Sequence, residues 1–402
     1  MARKDLSVLA LLLAACSGAK SVTLGGADVG GAGATGGSGG GSSAGSAAAG
    51  AEAMLPEDLD PSAIATGCAA QTFVMPAAAE PGMLSQWLEL SEVDAARAVV
   101  ALGSKLFVLS SREVIRIDLD DETLCTLSGF PSRLDHADLV LSSAGRLILS
   151  SSEGARAVSY RSDDEGATWN ASEQPPVADE GTGAARLVVD PASDRLFAVA
   201  GASLDQSLDN GETWEALIAE EAVVSSKGGA AVDRSGATLL YAFSDSFGRC
   251  SPLSLQLSDG AAGEWRSAGM QSDLPCGDAV ADLHEDNAFY LLGSGRLSHV
   301  SFSADGNMSE DRAFVDASIV VNALWVDDEV PGRLLFTGLS GTTLAAFESL
   351  DWGVTATPLE TEEAPSLIGS AIAALPNDLG ISFWAFRESA APAPATIGFV
   401  LP

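Results

Sequence analysis

A histidine and two carboxylates lie close together at one point of the chain, where His136 is flanked by Asp135 and Asp138. An imidazole beside a carboxylate can act as a general acid or base, or bind a metal ion. A histidine that forms surface hydrogen bonds is the commoner occurrence of this pattern. The three histidines of the sequence show no zinc-site spacing and no Ser-His-Asp signature. We therefore predict no catalytic residue, no metal ion and no cofactor from these motifs.

Acidic residues dominate the charge of the chain. The sequence has 55 Asp and Glu residues against 21 Lys and Arg residues, a formal net charge of -34. Such a charge repels nucleic acids and anionic lipid surfaces, so we expect no nucleic-acid partner. The acidic run 118–122 offers hard oxygen ligands for Ca²⁺, but the spacing of an EF-hand loop is missing. We interpret the run as solvated surface.

A repeated motif indicates which elements position these groups. The pattern Ser-x-Asp-x-Gly-x-Thr-Trp starts at positions 162 and 207, which are 45 residues apart, and weaker copies start at 118, 258 and 303. Two intact copies and a third with Ala356 in place of Trp comprise Ser162, Asp164, Gly166, Thr168 and Trp169; Ser207, Asp209, Gly211, Thr213 and Trp214; and Ser349, Asp351, Gly353 and Thr355. An interval of about 45 residues is the length of one four-stranded propeller blade.

The motif resembles the Asp-box, or BNR, repeat of sialidases and many other β-propellers. The resemblance implies that each copy lies in the hairpin between the third and fourth strands of a blade. It also implies a structural role, on the face opposite the active sites of the family. Turn chemistry agrees, because Ser and Asp side chains bind nearby backbone groups, Gly accepts a positive φ, and Trp supplies apolar surface.

Sialidase activity itself is poorly supported by the residues present. The family uses three arginines, a Tyr paired with Glu, and an Asp acid/base, which is an exception to the two-carboxylate rule of glycosidases. The Arg-Ile-Pro type motif of the family is absent, since Arg116-Ile117 is followed by Asp118. The family nucleophile comes late in the chain, and this sequence has no Tyr after Tyr290.

The fold class that we predict is all-β, a seven-bladed propeller of four-stranded antiparallel blades. Short apolar runs such as 195–200 and 238–243 are of strand length and are separated by turn residues. A repeat region starting near Gln86 contains about seven intervals of about 45 residues. The last blade has room for three strands only, so we expect the run 85–90 to supply its outer strand and close the ring. A six-bladed ring is the alternative.

The amino terminus predicts export and lipidation. Arg3 and Lys4 precede an apolar run that is too short to span a bilayer and ends at Cys16. The sequence Leu-Ala-Ala-Cys resembles a bacterial lipobox, which implies that Cys16 carries diacylglycerol and anchors the protein to a lipid bilayer. The resemblance to lipoproteins further implies that Ser17, the residue after the cysteine, directs the protein to the outer membrane, on its periplasmic or its surface side. We divide the chain into a signal peptide (1–16), a Gly/Ala/Ser-rich tether (17–60) and a propeller (61–402).

Four cysteines remain once Cys16 is set aside, and an oxidising compartment permits two disulfides among them. Three pairings are possible. The repeat phase favours Cys250 with Cys276, because both lie in loops on the face opposite the repeated turns. Cys68 then pairs with Cys125. The other interpretation, free thiols or a metal site, lacks C-x-x-C spacing.

The function that we predict is a non-enzymatic module that binds a protein or a glycan. Its ligand face comprises the loops opposite the repeated turns, with Arg133, Asp135, His136, Arg249 and Asp278 as candidate residues. We expect the propeller to be monomeric. The alternative is a glycoside hydrolase or lyase, sialidase-like, that acts on extracellular glycans. Motif absence does not remove this alternative, because propeller active sites collect single residues from many blades.

Overall fold

The computed structural model describes residues 64–74 and 88–400, with gaps of which the longer are 174–185, 219–228, 245–249, 269–273, 314–318, 360–363, 375–380 and 388–393. The described residues form 33 strands and no helix. Accordingly, this part of the chain contains no helix long and apolar enough to cross a membrane. The all-β prediction is confirmed.

The strands are given in chain order. The amino-terminal strands are β1 (Ile64–Ala65), β2 (Gly67–Cys68), β3 (Gln71–Thr72) and β4 (Leu88–Asp94). Three sets of four follow: β5 (Ala98–Leu102), β6 (Lys105–Leu109), β7 (Val114–Asp118), β8 (Thr123–Ser128); β9 (Asp138–Leu141), β10 (Leu147–Glu153), β11 (Arg156–Ser162), β12 (Thr168–Glu173); β13 (Arg186–Val189), β14 (Leu196–Ala200), β15 (Ser203–Ser207), β16 (Glu215–Ile218). The remaining strands are β17 (Gly229–Val232), β18 (Thr238–Ser244), β19 (Cys250–Ser258), β20 (Ala261–Ala262), β21 (Arg266–Ser267); β22 (Asp278–Ala281), β23 (Ala288–Gly293), β24 (Arg296–Phe302), β25 (Met308–Ala313); β26 (Ile319–Val326), β27 (Leu334–Ser340), β28 (Thr343–Ser349), β29 (Thr357–Pro358), β30 (Ala364–Pro365); β31 (Leu367–Ala374), β32 (Ile381–Arg387) and β33 (Pro394–Val400).

Hydrogen bonds group the described strands into seven antiparallel sheets, which we number in chain order from the sheet of β5–β8 to the sheet of β31–β33. The first strand of each sheet is its inner strand. Successive inner strands contact one another in the order β5, β9, β13, β17, β22, β26 and β31, and β31 contacts β5. The inner strands therefore form a closed ring, and the prediction of a propeller with four-stranded antiparallel blades is confirmed.

The seventh sheet joins the two ends of the propeller. Its outer strand is β4, which pairs with β33 through Leu88 to Ile397 and Leu90 to Ala395. The expected closing strand is thus present, and it extends to Asp94, beyond the predicted end at residue 90. The outer strand of the seventh sheet thus comes from the amino-terminal side of the domain and its other three strands from the carboxyl-terminal side. This pairing holds the two ends of the domain together.

The segment before β4 forms a strap across two sheets. β1 adds to β12 of the second sheet, and β2 and β3 add to β8 of the first. Thr66 donates hydrogen bonds from its backbone N–H to the carbonyl of Ala167, at 3.0 Å, and from its hydroxyl to the carbonyl of Gly166, at 2.5 Å. The disulfide between Cys68 and Cys125 fixes the strap to β8, which confirms the predicted pairing of these two cysteines.

Cys250, on β19, is also disulfide-bonded. Its Sγ lies 3.4 Å from the carbonyl oxygen of Pro275. Cys276, the partner that the repeat phase predicts, lies outside the described residues, so this pairing stays a prediction.

Apolar side chains of neighbouring sheets form the core. Between the first two sheets, Trp169 is fully buried in one cluster with Phe107 and Leu127. Phe130 contacts the Trp169 ring edge to face, at a centroid distance of 5.3 Å. A Cβ on Gly166 would approach ring and methyl carbons of Phe107 and Leu127 at 3.0 Å, and its φ of 78° is one that side chains rarely adopt. The turn can therefore pack against the first sheet only with glycine at this position.

Candidate functional site

The repeated turn has one geometry in all three of its better copies. In the first copy, Ser162 Oγ accepts a hydrogen bond from Gly166 N at 2.9 Å and donates one to Asp164 Oδ1 at 2.9 Å. Asp164 also accepts from Thr168 N at 2.8 Å and from Thr168 Oγ1 at 2.6 Å. The same bonds recur in the copies at 207 and 349. The side chains of Ser, Asp and Thr are thus used within the turn.

The aspartates of these turns are poor candidates for catalysis. Slight burial tends to raise the pKa of Asp164, but hydrogen bonds from Thr168 and Ser162 outweigh it, and the pKa lies below its ordinary value. The same balance lowers the pKa of Asp209 and Asp351. A carboxylate held ionised by several donors cannot serve as a proton donor near neutral pH. These aspartates therefore stabilise the turns in which they lie.

A second set of acids fixes the turns after the inner strands. Asp190, Asp233, Asp282 and Asp327 each follow an inner strand and are buried. Each accepts hydrogen bonds from the backbone of its own turn, as Asp233 does from Ala237 N and Thr238 N. These turns connect the first and second strands of a sheet, and the repeated turns connect the third and fourth strands. Because neighbouring strands are antiparallel, both kinds of turn lie at the same end of the sheet.

One of these acids takes part in a group with metal-ligand chemistry. Atoms of Asp282, Glu285 and His299 lie within 4.8 Å of one another. The Asp282 carboxylate already accepts from His284 N at 2.7 Å and Glu285 N at 3.2 Å, from Tyr290 Oη at 3.2 Å and from His299 Nε2 at 3.0 Å. Four donors fill the acceptor sites of a carboxylate. We therefore interpret this group as a buried support of the turn.

The opposite end of the ring carries a different set of charged side chains. Asp138, Arg186 and Asp278 are the first residues of β9, β13 and β22. The turns that follow these strands begin at residues 142, 190 and 282, so each of the three charged residues lies four positions before its turn. The strand register therefore places all three at one level of the ring. We call these three residues the rim cluster. Gly229, the first residue of β17, occupies the same level between Arg186 and Asp278.

Arg186 connects the members of the rim cluster. Its Nη2 donates to Asp278 Oδ1, and its Nε lies 3.9 Å from Asp138 Oδ2. The guanidinium thus reaches past the strand that carries Gly229. A Cβ at position 229 would overlap the backbone of Asp278 and Ala279, so β17 and β22 approach each other closely only because residue 229 is glycine.

Burial controls the electrostatics of the rim cluster. Burial raises the pKa of Asp138, and Arg186 together with the N–H groups of Leu187 and Leu139 offsets this only in part. The pKa of Asp278 is raised by burial in the same way. The pKa of Arg186 lies above its ordinary value, because the two carboxylates outweigh burial. The cluster therefore carries one positive and up to two negative charges.

One carboxylate oxygen of the rim cluster, on Asp278, accepts no hydrogen bond within the part of the chain that the structure describes. Asp278 is 3% exposed, and its Oδ1 accepts from Arg186 and from Ala279 N at 3.0 Å. Its Oδ2 is buried and receives no hydrogen bond. A buried acceptor without a donor costs about 1–3 kcal/mol. This oxygen is therefore a buried acceptor whose cost the described residues do not offset.

The structure places only part of the predicted ligand face. Asp278 lies in the rim cluster, at the end of the ring opposite the repeated turns. Arg133, Asp135, His136 and Arg249 lie outside the described residues, and so does Cys16. Sequence reasoning named Asp138 only as a neighbour of His136 and missed Arg186. The feature of the sequence that could have identified Asp138 and Arg186 is their position, since each lies four residues before the start of a turn.

Comparisons with known proteins show the fold alone. No protein-family model matches the sequence, and no curated protein matches it. Among solved structures, the chain is similar to one in a mitotic checkpoint complex, with 12% identity and a TM-score of 0.52, over 83% of this chain and 99% of that one. It is also similar to a prolyl endopeptidase (12% identity, TM-score 0.46), covering 78% of this chain and 51%, about half, of that one. A gluconolactonase from Xanthomonas campestris gives 14% identity and a TM-score of 0.41, over 69% and 94% of the two chains.

Proposed function

We propose that the protein is a non-enzymatic recognition module that binds a protein or glycan ligand on the face of the propeller that carries the rim cluster. The observation that carries this proposal is the buried, unpartnered Oδ2 of Asp278 on that face. The Ser, Asp and Thr side chains of the repeated turns form hydrogen bonds within those turns at the other end of the ring. The second repeated turn also contains a buried acceptor that the described residues leave without a donor, Asn210 Oδ1, so the rim is distinguished by the fact that its open acceptor belongs to a carboxylate.

Arg186 favours binding over glycoside hydrolysis. A glycosidase needs one carboxylic acid as proton donor and a second carboxylate free to act as base or nucleophile, about 5–10 Å apart. Here one guanidinium donates to Asp278 and lies close to Asp138. Asp138 also accepts from Leu187 N at 2.9 Å. The two acids are held mainly by their own chain.

Glycoside hydrolysis or lyase chemistry on extracellular glycans is the second candidate, and one observation favours it. Burial raises the pKa of both Asp138 and Asp278, and a carboxylic acid with a raised pKa is what general acid catalysis requires. Under this alternative, Asp278 is the acid and Asp138 the base.

Two features of the architecture belong to the same proposal. We infer that the ring has seven blades, because seven sheets contribute inner strands and the seventh contacts the first. The identical hydrogen bonding of the three turns, at the connection between third and fourth strands, supports their assignment as Asp-boxes. The sequence of the amino terminus supports a lipid anchor through Cys16 to the outer membrane, on the periplasmic or the surface side. We propose in addition that the propeller is monomeric.

The decisive experiment applies the full-length protein in detergent micelles to a glycan array and to a panel of chromogenic glycosides. We expect binding without turnover. The variant Asp278→Asn should lose binding, whereas Asp286→Asn, which removes an exposed acid at the turn end of the same sheet, should not. Turnover of any glycoside that Asp278→Asn abolishes would establish the hydrolase alternative.

A further inference from the structure

The two sulfur atoms of the Cys68–Cys125 disulfide differ in their access to solvent. Cys68 lies on β2, and both residues of this strand are exposed. Cys125 lies on β8, is 3% exposed, and belongs to one apolar cluster with Phe107 and Trp169. Thiol–disulfide exchange begins when a thiolate attacks one of the two sulfurs, and access decides which sulfur is attacked. An incoming thiolate can therefore reach Cys68 but not Cys125.

A guanidinium lies beside this disulfide. Arg116 Nη2 donates a hydrogen bond to Cys68 Sγ at 3.3 Å. Arg116 also lies directly opposite Cys125 in the pairing of β7 with β8. A neighbouring cation stabilises a thiolate, and a thiolate is both the attacking and the leaving species of the exchange. Arg116 thus favours the approach of a thiolate to Cys68 and the departure of Cys125 as a thiolate.

The strap that this disulfide fixes has only short pairings with the sheets. Its strands β1, β2 and β3 have two residues each, and every residue from 67 to 72 is exposed. Phe73 is partly buried against the core of the first sheet. Ordering a segment costs conformational entropy at every residue, and pairings of two residues offset little of it. We therefore expect the disulfide to be the main restraint on the strap.

The environment of Cys250 provides a comparison within the same chain. Cys250 is also disulfide-bonded, but it is fully buried in a cluster with Leu274 and Phe289. A cysteine buried in apolar surroundings is inert towards external thiols. The disulfide of Cys250 should therefore be reduced more slowly than the disulfide of the strap.

We propose that the Cys68–Cys125 disulfide is a redox-sensitive latch, which a protein dithiol opens selectively and which then releases the strap from the outer strands of the first two sheets. One thiolate of the dithiol attacks Cys68 Sγ and forms a mixed disulfide, and Cys125 leaves as a thiolate that takes up a proton. The second thiol of the reductant then displaces Cys68 as a thiol. Two electrons pass to the bridge, so this protein gains two thiols and the reductant becomes a disulfide.

Opening of the latch changes the outer edge of the first sheet. The backbone of β8 pairs with β2 through Ser128 and Leu127 and with β3 through Leu124 and Thr123. Release of the strap leaves this edge of β8 exposed, and an exposed edge can pair with another strand. The latch goes beyond the proposed recognition function and does not depend on it, because the strap contacts outer strands whereas the rim cluster lies on inner strands.

The test treats the full-length protein in detergent micelles with reduced thioredoxin as the dithiol. Samples are quenched in acid at intervals, unfolded and alkylated, and peptide mass spectrometry measures the free thiol at each cysteine. We expect Cys68 and Cys125 to become free roughly tenfold faster than Cys250. Hydrogen exchange of the amides of residues 64–74 should then rise, whereas exchange in the core strand β23 should stay unchanged.

Variants separate the latch from general loss of stability. Replacement of both Cys68 and Cys125 by Ser should give the strap the same rapid exchange without any reductant. Arg116→Gln should slow the reduction several-fold, whereas Arg296→Gln, which removes an exposed arginine from the fifth sheet, should leave the rate unchanged. If the double serine variant fails to fold, hydrogen exchange in the reduced wild type decides the question alone.

Three results would overturn the inference. Reduction of both disulfides at one rate contradicts selective opening at the exposed sulfur of Cys68. Strap amides that stay protected after Cys68 and Cys125 are reduced show that the strap pairs without the disulfide, so that no latch exists. An equal loss of rate in Arg116→Gln and Arg296→Gln shows that only net charge matters and that the contact of Arg116 with the bridge has no part in its opening.

Discussion

Asp205 offers a test of how burial alone acts on a carboxylate in this fold. It lies on β15 directly opposite Ala198, and opposed residues share one face of a sheet. Ala198 packs with Val140 and Ile148 between the second and third sheets. Asp205 is 7% exposed, and no described residue donates a hydrogen bond to its carboxylate. Burial raises the pKa of Asp205 to about 7, from its ordinary value of 3.8.

The size and sign of the effect follow from proton linkage. Between about pH 4 and pH 7 the folded state keeps the proton that the unfolded state has lost, so the free energy of unfolding falls as pH rises through this range and is level above it. A shift of about 3 pKa units corresponds to about 4 kcal/mol. Residual solvent access lowers this figure, so we expect a loss of about 2–3 kcal/mol.

The variant Asp205→Asn removes the charge and keeps the shape. We expect its stability relative to the wild type to rise by about 2–3 kcal/mol between pH 4 and pH 8. Urea unfolding followed by tryptophan fluorescence at these two values measures the difference, with Asp286→Asn as the control for removal of an exposed acid. A difference between Asp205→Asn and wild type that stays constant across the range would refute the reasoning.

Three further predictions concern the anchor, the strap and the repeated turn. Cys16→Ala should release the protein from the membrane fraction or leave it unprocessed, and unchanged membrane association on fractionation would contradict lipidation. Replacing both Cys68 and Cys125 by Ser opens a link across 57 residues and should lower the free energy of unfolding by about 4 kcal/mol; an unchanged urea midpoint would show that the strap pairs independently of the disulfide. Trp169→Ala, at a fully buried position, should lower the free energy of unfolding in urea by about 3–5 kcal/mol. Trp214→Ala, at a partly exposed position, should lower it less. Equal losses for the two variants would count against burial as the cause.

The fold was accessible from the sequence because the turns demand particular residue types. Gly166, Gly211 and Gly353 all have a positive φ, and a conformation that favours glycine leaves a visible trace at a regular interval. The closing strand followed from the shortage of strands at the end of the chain. The constraint on the turns is local, so a single stretch of sequence contains it, whereas the closing strand is a long-range pairing that only the strand count over the whole repeat region predicts.

The rim cluster was not accessible in the same way. Arg186 and Asp278 are 92 residues apart in the chain, and only the register of three sheets brings them to one level. Each residue alone is an ordinary polar residue at the start of a strand. The pairing also depends on Gly229, whose missing side chain matters only once two inner strands approach each other. Sequence periodicity predicts the strands and leaves such contacts open.

The position of the rim cluster argues that it is not part of the repeat. Equivalent inner-strand positions carry Ala98 in the first sheet and Ala323 in the sixth, so the fold does not need a charge at this level. Burying two carboxylates and an arginine is costly compared with apolar residues of similar size, and one oxygen of Asp278 remains without a donor. Because the fold accommodates Ala at this level in two other sheets, the three charged side chains are not required for the ring to form.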